Sequence, residues 1–167
     1  MGAHHACSGP GPHRHPRHPP TGRPSVPDPG PGQFRVRVEA CGLNPLDYQV
    51  AVGGHLEWAW LHVLGLDVAG RVDAVGDGVT GILPGQRVAF HGDLRRPGGL
   101  AEYALADAPT VAVVPDELSA VTAAAMPCAG MTAYQAVVRR LHVKAGDTVL
   151  VTAGWSASCA AMPCCRP

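Results

Sequence analysis

Histidine and cysteine are the side chains here whose grouping suggests chemistry. Five of the nine histidines, His4, His5, His13, His15 and His18, fall in the first eighteen residues, a density that could make a metal-binding tract. No carboxylate lies among them and Cys7 stands alone between His5 and His13, so solvated histidines on a disordered leader account for the run more simply. The six cysteines, Cys7, Cys41, Cys128, Cys159, Cys164 and Cys165, form no CxxC pair. Cys164 and Cys165 are adjacent and cannot both ligate one ion without strain. A disulfide framework suits small secreted chains, whereas nothing here reads as a secretory signal. Reduced thiols in the cytoplasm are the expectation.

The elements that must position any chemistry are bounded by composition. In 167 residues there are 13 basic and 13 acidic side chains, giving zero formal charge and no global attraction to nucleic acid or anionic membrane. Of the basic residues only Lys144 is lysine. Apolar residues make up 46% but aromatics only 5%, so the core must be built from Val, Ala and Leu. With 21 glycines and 17 prolines, coiled coil and helical bundle are excluded, and without a Gly-X-Y repeat so is a collagen-like fibre. No stretch approaches the ~18–20 consecutive apolar residues of a membrane helix.

Periodicity begins at Gln33. FRVRVEA alternates Phe34, Val36 and Val38 with Arg35, Arg37 and Glu39, a half-buried strand. Pro45 to Val52 predicts a short helix with Asn44 as N-cap and Pro45 in its first position. Val68, Val72 and Val75 lie in β-prone sequence broken by Gly65, Gly70, Gly76 and Gly78, where bulges or close backbone approach are expected. RVAF, LAEYAL and TVAVV add further strands at the spacing of a barrel-like β domain. Beyond Pro115, Ser119 to Met126 predicts an Ala-rich helix stopped by Pro127. Gly130 to Leu141 predicts a second, with Tyr134, Val137, Val138 and Leu141 on one face. TVLVTAG then reads as a buried strand opening a parallel α/β unit.

Six segments, PDPGPGQFRVRVEACGLNPLDYQV, LGLDVAGRVDAVGDGV, LPGQRVAF, GGLAEYAL, MPCAGMTAYQAV and VKAGDTVLVTAG, occur in the order and approximate spacing of the medium-chain dehydrogenase/reductase superfamily. Together they resemble its zinc-independent quinone oxidoreductase branch over about Val26 to Gly154. The resemblance implies a mostly β fold with short helices. A partial GroES-like barrel would be followed by the first helix and strand of an incomplete Rossmann unit. The corresponding divisions are a Pro/Gly/His-rich leader at 1–32, the barrel at 33–117, linker helices and first Rossmann strand at 118–154, and an atypical tail at 155–167.

The same resemblance implies hydride transfer from NADPH to a quinone, an enone or a related carbonyl compound. Asn44, in the GxNPxD motif, would face the nicotinamide and substrate, with Asp47 beside it as a second catalytic candidate. Asp47 could equally serve local backbone N–H groups. Thr132 in AGMTAY matches the position that meets the nicotinamide carboxamide, and its alternative is a hydroxyl bonded back into its own helical turn. Gly154 begins the phosphate-binding loop. Trp58 and Trp60 would border a substrate cleft or pack in the core. Metal-dependent relatives hold zinc with a Cys where this chain has Asn44 and a His-Glu pair where it has Leu66-Asp67. Cys41 stands three residues too early and is expected to be a small buried side chain. No zinc is expected.

The resemblance breaks at both ends. After Gly154 come Trp155, Ser156 and Ala157 where phosphate needs glycine backbone. The compositional change at each end is what a shifted reading frame or misdrawn gene boundary leaves, and equally what a genuine shortened product carries. The expectation is a truncated oxidoreductase, inactive alone and marginal in stability. Its alternatives are a non-catalytic GroES-like remnant or binding module and, more weakly, a His/Cys metal-binding protein.

Overall fold

The computed structural model describes residues 25–53 and 62–152. The leader histidines, Trp58, Trp60, Gly154 and the tail cysteines lie outside the described residues.

Five strands form one antiparallel sheet: β1 (Gln33–Gly42), β2 (Asp67–Val75), β3 (Arg87–His91), β4 (Tyr103–Asp107) and β5 (Val111–Val113). Their spatial order is β4-β1-β2-β3-β5, an open sheet with β4 and β5 at its edges. The helices are short: α1 (Pro45–Gly53), α2 (Ala120–Ala124) and α3 (Pro127–Tyr134), the last continuing into one π-helical stretch, Gln135–Arg140. The mostly β architecture with short helices is as the sequence pattern implied.

Strand alternation explains the core. Phe34 and Val36 of β1, Val68 and Val72 of β2, Val88 and Phe90 of β3, and Ala104 and Ala106 of β4 share one sheet face and pack together, fully or almost fully buried. Cys41 packs at the margin of this cluster, as expected of a small apolar side chain. The opposite face carries Ala69 and Ala89, whose small side chains let α2 approach with Ala123 and Ala124. Three carbonyls of the segment leading into α2, those of Pro115, Asp116 and Leu118, accept hydrogen bonds from the Arg87 guanidinium on β3. The Ser119 hydroxyl then caps α2 by accepting from the Thr122 N–H.

Bulges occur in this sheet, but not at the glycines. Pairing of β1 with β2 passes from Arg35↔Ala74 to Val36↔Val72 and from Val38↔Gly70 to Ala40↔Ala69, leaving Asp73 and Glu39 unpaired in the ladder. Each extra residue is an acid with an arginine partner: Asp73 bonds Arg35 at 2.6 Å and Glu39 bonds Arg71 at 3.0 Å. Gly70 instead provides close approach, since a Cβ there would collide with the Arg37 carbonyl.

Three local expectations need correction. Pro127 does not merely stop α2; it begins α3, three residues before the expected helix start, because a first-turn N–H has no helical partner to lose. Tyr134, Val138 and Leu141 do not form a buried face; all three are exposed, and Ala133 is the buried residue of α3. Residues 148–152 form no strand, and Val149, Leu150 and Val151 are exposed, Leu150 at 89%. A parallel strand gains its stability from neighbours on both sides, and no described strand pairs with this one.

Candidate functional site

Asp67 and His91 occupy directly opposed positions, at the first residue of β2 and the last of β3. Antiparallel neighbours put such side chains on one face at close range. They share that face with Ala69 and Ala89, beneath the helices, and His91 Nδ1 lies 2.6 Å from Asp67 Oδ1. Gly42 of β1 pairs with Asp67 on its other side. A Cβ at Gly42 would strike both the Ala124 carbonyl and Asp67, so only glycine leaves room for α2 to close over this corner.

The Asp67 carboxylate is 2% exposed and fully engaged. Oδ2 accepts from Asn44 Nδ2 at 2.9 Å, and the Cys128 backbone N–H reaches both oxygens, at 3.1 and 3.2 Å. The acid therefore ties together the turn before α1, the end of β3 and the first turn of α3, where an N–H group free of helical partners suits an anion. Nδ1 of His91 carries the hydrogen in its bond, since an ionised carboxylate only accepts. That bond is the main reason His91 is held above the ordinary histidine pKa; partial burial opposes it, and the charges of Asp67 and Asp47 reinforce it.

Asp47, 5% exposed, serves backbone N–H groups: it accepts from Asn44 at 2.7 Å and from Gly65 at 3.1 Å. This is the local role that the sequence left open for it, and it corrects the expected cap of α1. The capping carboxylate belongs to Asp47, whereas the Asn44 side chain turns to Asp67. Thr132 is exposed on α3, one turn after Cys128, and hydrogen-bonds its thiol. Burial first, then the charge of Asp67, nevertheless keeps that thiol above the normal range. Cys41 is shifted further, to about 11, by burial and by the charges of Asp47 and Asp67.

Asn44, Asp47 and Thr132, the describable residues among those named from the sequence, thus converge on one hydrogen-bonded corner. Two of the groups that join them, His91 and the Cys128 backbone, carried no sequence assignment. Strand pairing was the available signal for His91: in consecutive antiparallel strands the end of one faces the start of the other.

One carboxylate oxygen, one ring nitrogen and one sulfur of Asp67, His91 and Cys128 lie within 4.8 Å of one another, which raises the question of a metal ion. Tetrahedral ligands at about 2.0–2.1 Å from zinc stand about 3.3 Å apart. The 2.6 Å separation of Asp67 and His91 is that of a shared proton, and both carboxylate oxygens already face N–H donors. In this arrangement the three residues do not fit zinc.

With this geometry in hand, residues 30–116 match the alcohol dehydrogenase GroES-like domain. The chain belongs to that family. It is a quinone oxidoreductase-like member of the medium-chain dehydrogenase/reductase superfamily, an oxidoreductase family. The chain is 38% identical over 128 residues to a quinone oxidoreductase of Pongo abelii and 40% identical over 128 residues to that of Lama guanicoe. These alignments cover 76% of the chain but 38% of each relative, so it spans under two fifths of their length. An alcohol dehydrogenase superfamily protein from Novosphingobium aromaticivorans superposes with a TM-score of 0.77 at 34% identity, covering 83% of this chain and 43% of that one. A mycobacterial protein solved with NADPH superposes with a TM-score of 0.72 at 35% identity, covering 84% and 42%. Among the described residues no helix is long and apolar enough to cross a membrane.

Proposed function

We propose that this chain is the substrate-facing, GroES-like part of a zinc-independent, NADPH-dependent reductase acting on a quinone, an enone or a related carbonyl compound in the cytoplasm. The observation that carries the reading is the Asp67 corner of a quinone oxidoreductase-like chain, where an asparagine, a histidine and the start of α3 are locked to one buried carboxylate. Asn44 and Thr132 would face the nicotinamide, because a rigid amide and a hydroxyl are suited to its carboxamide and to a carbonyl substrate. Bound NADPH would supply the hydride. The residues named here bind and orient: Asp47 holds the Asn44 turn, and Asp67 fixes the Asn44 amide.

Of the phosphate-binding loop expected from the family, this sequence has Gly154 followed by Trp155. The 167-residue chain alone is therefore proposed not to turn over NADPH. Fluorescence titration of the purified chain with NADPH tests this. No saturable binding up to ~1 mM, a Kd weaker than about −4 kcal/mol, is expected. Micromolar saturation would mean that Asn44, Thr132 and Gly154 form a working partial site, and would overturn inactivity of the chain alone. A second reading, a non-catalytic GroES-like binding domain, is favoured by the exposure of Val149, Leu150 and Val151.

A further inference from the structure

His91 has one nitrogen that the structure accounts for and one that it leaves available. Nδ1 is bound to Asp67, and among the described residues Nε2 has no hydrogen-bond partner. No buried side-chain nitrogen or oxygen among those residues lacks a partner, so Nε2 is open to solvent, in keeping with a side chain that is 28% exposed. When the ring is protonated, Nε2 presents a solvent-facing N–H at the end of a strand, with the ring fixed from behind by a buried carboxylate, and is a preorganised hydrogen-bond donor. It belongs to the same carboxylate as the Asn44 amide.

We infer that His91 Nε2–H is the group that binds the substrate oxygen on which negative charge develops, a phenolate in quinone reduction or an enolate in enone reduction, with Asp67 as its positioning residue. The inference rests on the proposed reductase reading and names the oxygen-binding group within it. In the reaction, the hydride of the reduced nicotinamide cofactor adds to the quinone or enone, and the carbonyl oxygen receives the displaced π-electron pair. The Nε2–H bond then breaks as an O–H bond forms, leaving the enol (which tautomerises to the saturated ketone) or hydroquinone oxygen protonated and His91 neutral, to be reprotonated from solvent. Hydride plus proton balances the two-electron reduction without a metal.

The charged and titratable groups facing His91 are Asp67 from β2, Asp47 from α1 and the Cys128 thiol from α3. The two acids favour the imidazolium, and the raised thiol contributes no competing anion. Binding of an anionic oxygen should therefore weaken as pH rises and His91 loses its proton, at a higher pH than for a free imidazole.

The test needs no cofactor. Titrating the chain with 4-nitrophenolate, a mimic of the charged product oxygen, is expected to shift the phenolate absorption band saturably. H91Q should weaken this binding about tenfold or more, the loss of one charge-assisted hydrogen bond. The imidazole carbon and nitrogen NMR signals of His91 in the unmodified chain should move with the same saturation curve, a readout independent of whether any variant folds. Equal binding by folded H91Q, no binding by the wild type, or unmoved His91 signals would each overturn the inference. The reductase reading is tested separately: phenolate bound through His91 would support this site even if NADPH oxidation is never restored by supplying the remainder of the relatives' length.

Discussion

The antiparallel sheet and the segment after α3 have similarly apolar sequences and opposite fates. Phe34, Val36, Val68 and Val88 disappear completely from solvent, whereas Val149, Leu150 and Val151, in an equally strand-prone run, remain exposed. The difference lies in their neighbours. Every residue of the first group sits in a strand with at least one paired partner, and their side chains pack together in one cluster on a single face of the sheet. The second group has no described strand beside it. Strand propensity is thus permission to pair, and the stabilisation comes from the partner and the face it covers.

The largest test of this contrast is Phe34→Ala. Removing a wholly buried aromatic should cost about 3–5 kcal/mol, enough to abolish the cooperative transition of a marginal domain in a urea melt. A loss under about 1 kcal/mol would mean that this face is not the core. Asp67→Ala should be nearly as severe, about 2–4 kcal/mol by the same melt, because the Asn44, His91 and Cys128 donors would lose their common acceptor.

A smaller effect is expected from pH. The pKa of His91 is raised in the folded state, so its contribution to stability is complete below the unfolded value of about 6.5 and is lost as pH rises through the folded value. Melting temperatures of the wild type should fall relative to H91Q across that interval; parallel profiles would show that the Asp67 bond does not favour the imidazolium. Cys41, with its pKa near 11, should be about one part in a thousand thiolate at pH 8 and correspondingly slow to alkylate in mass-spectrometric time courses. Last, Leu150→Ser should change stability by no more than about 0.5 kcal/mol, since a side chain 89% exposed has little burial to lose. A cost comparable to that of Phe34→Ala would erase the contrast between the two regions.

Much of the fold was legible from local pattern. The period of two in FRVRVEA marked β1, and Asn44-Pro45 marked the start of α1 to the residue. Of the site, Asn44, Asp47 and Thr132 were legible through family motifs, but their partners were not. That the Asn44 amide would leave the helix cap and turn to Asp67 depends on a carboxylate 23 residues away, and the Cys128 N–H reaches that same acid from 61 residues away.

The sequence by itself determined the five strands of the sheet, the family and the absence of a long apolar helix in the periodic region, because these follow from the order and spacing of residue types along one segment. Tertiary structure alone decided that Asp67 and His91 face each other, that α3 begins on a buried carboxylate, and that residues 148–152 stay unpaired. Each of those outcomes is a contact between distant segments, whose free energy exists only once both are in place.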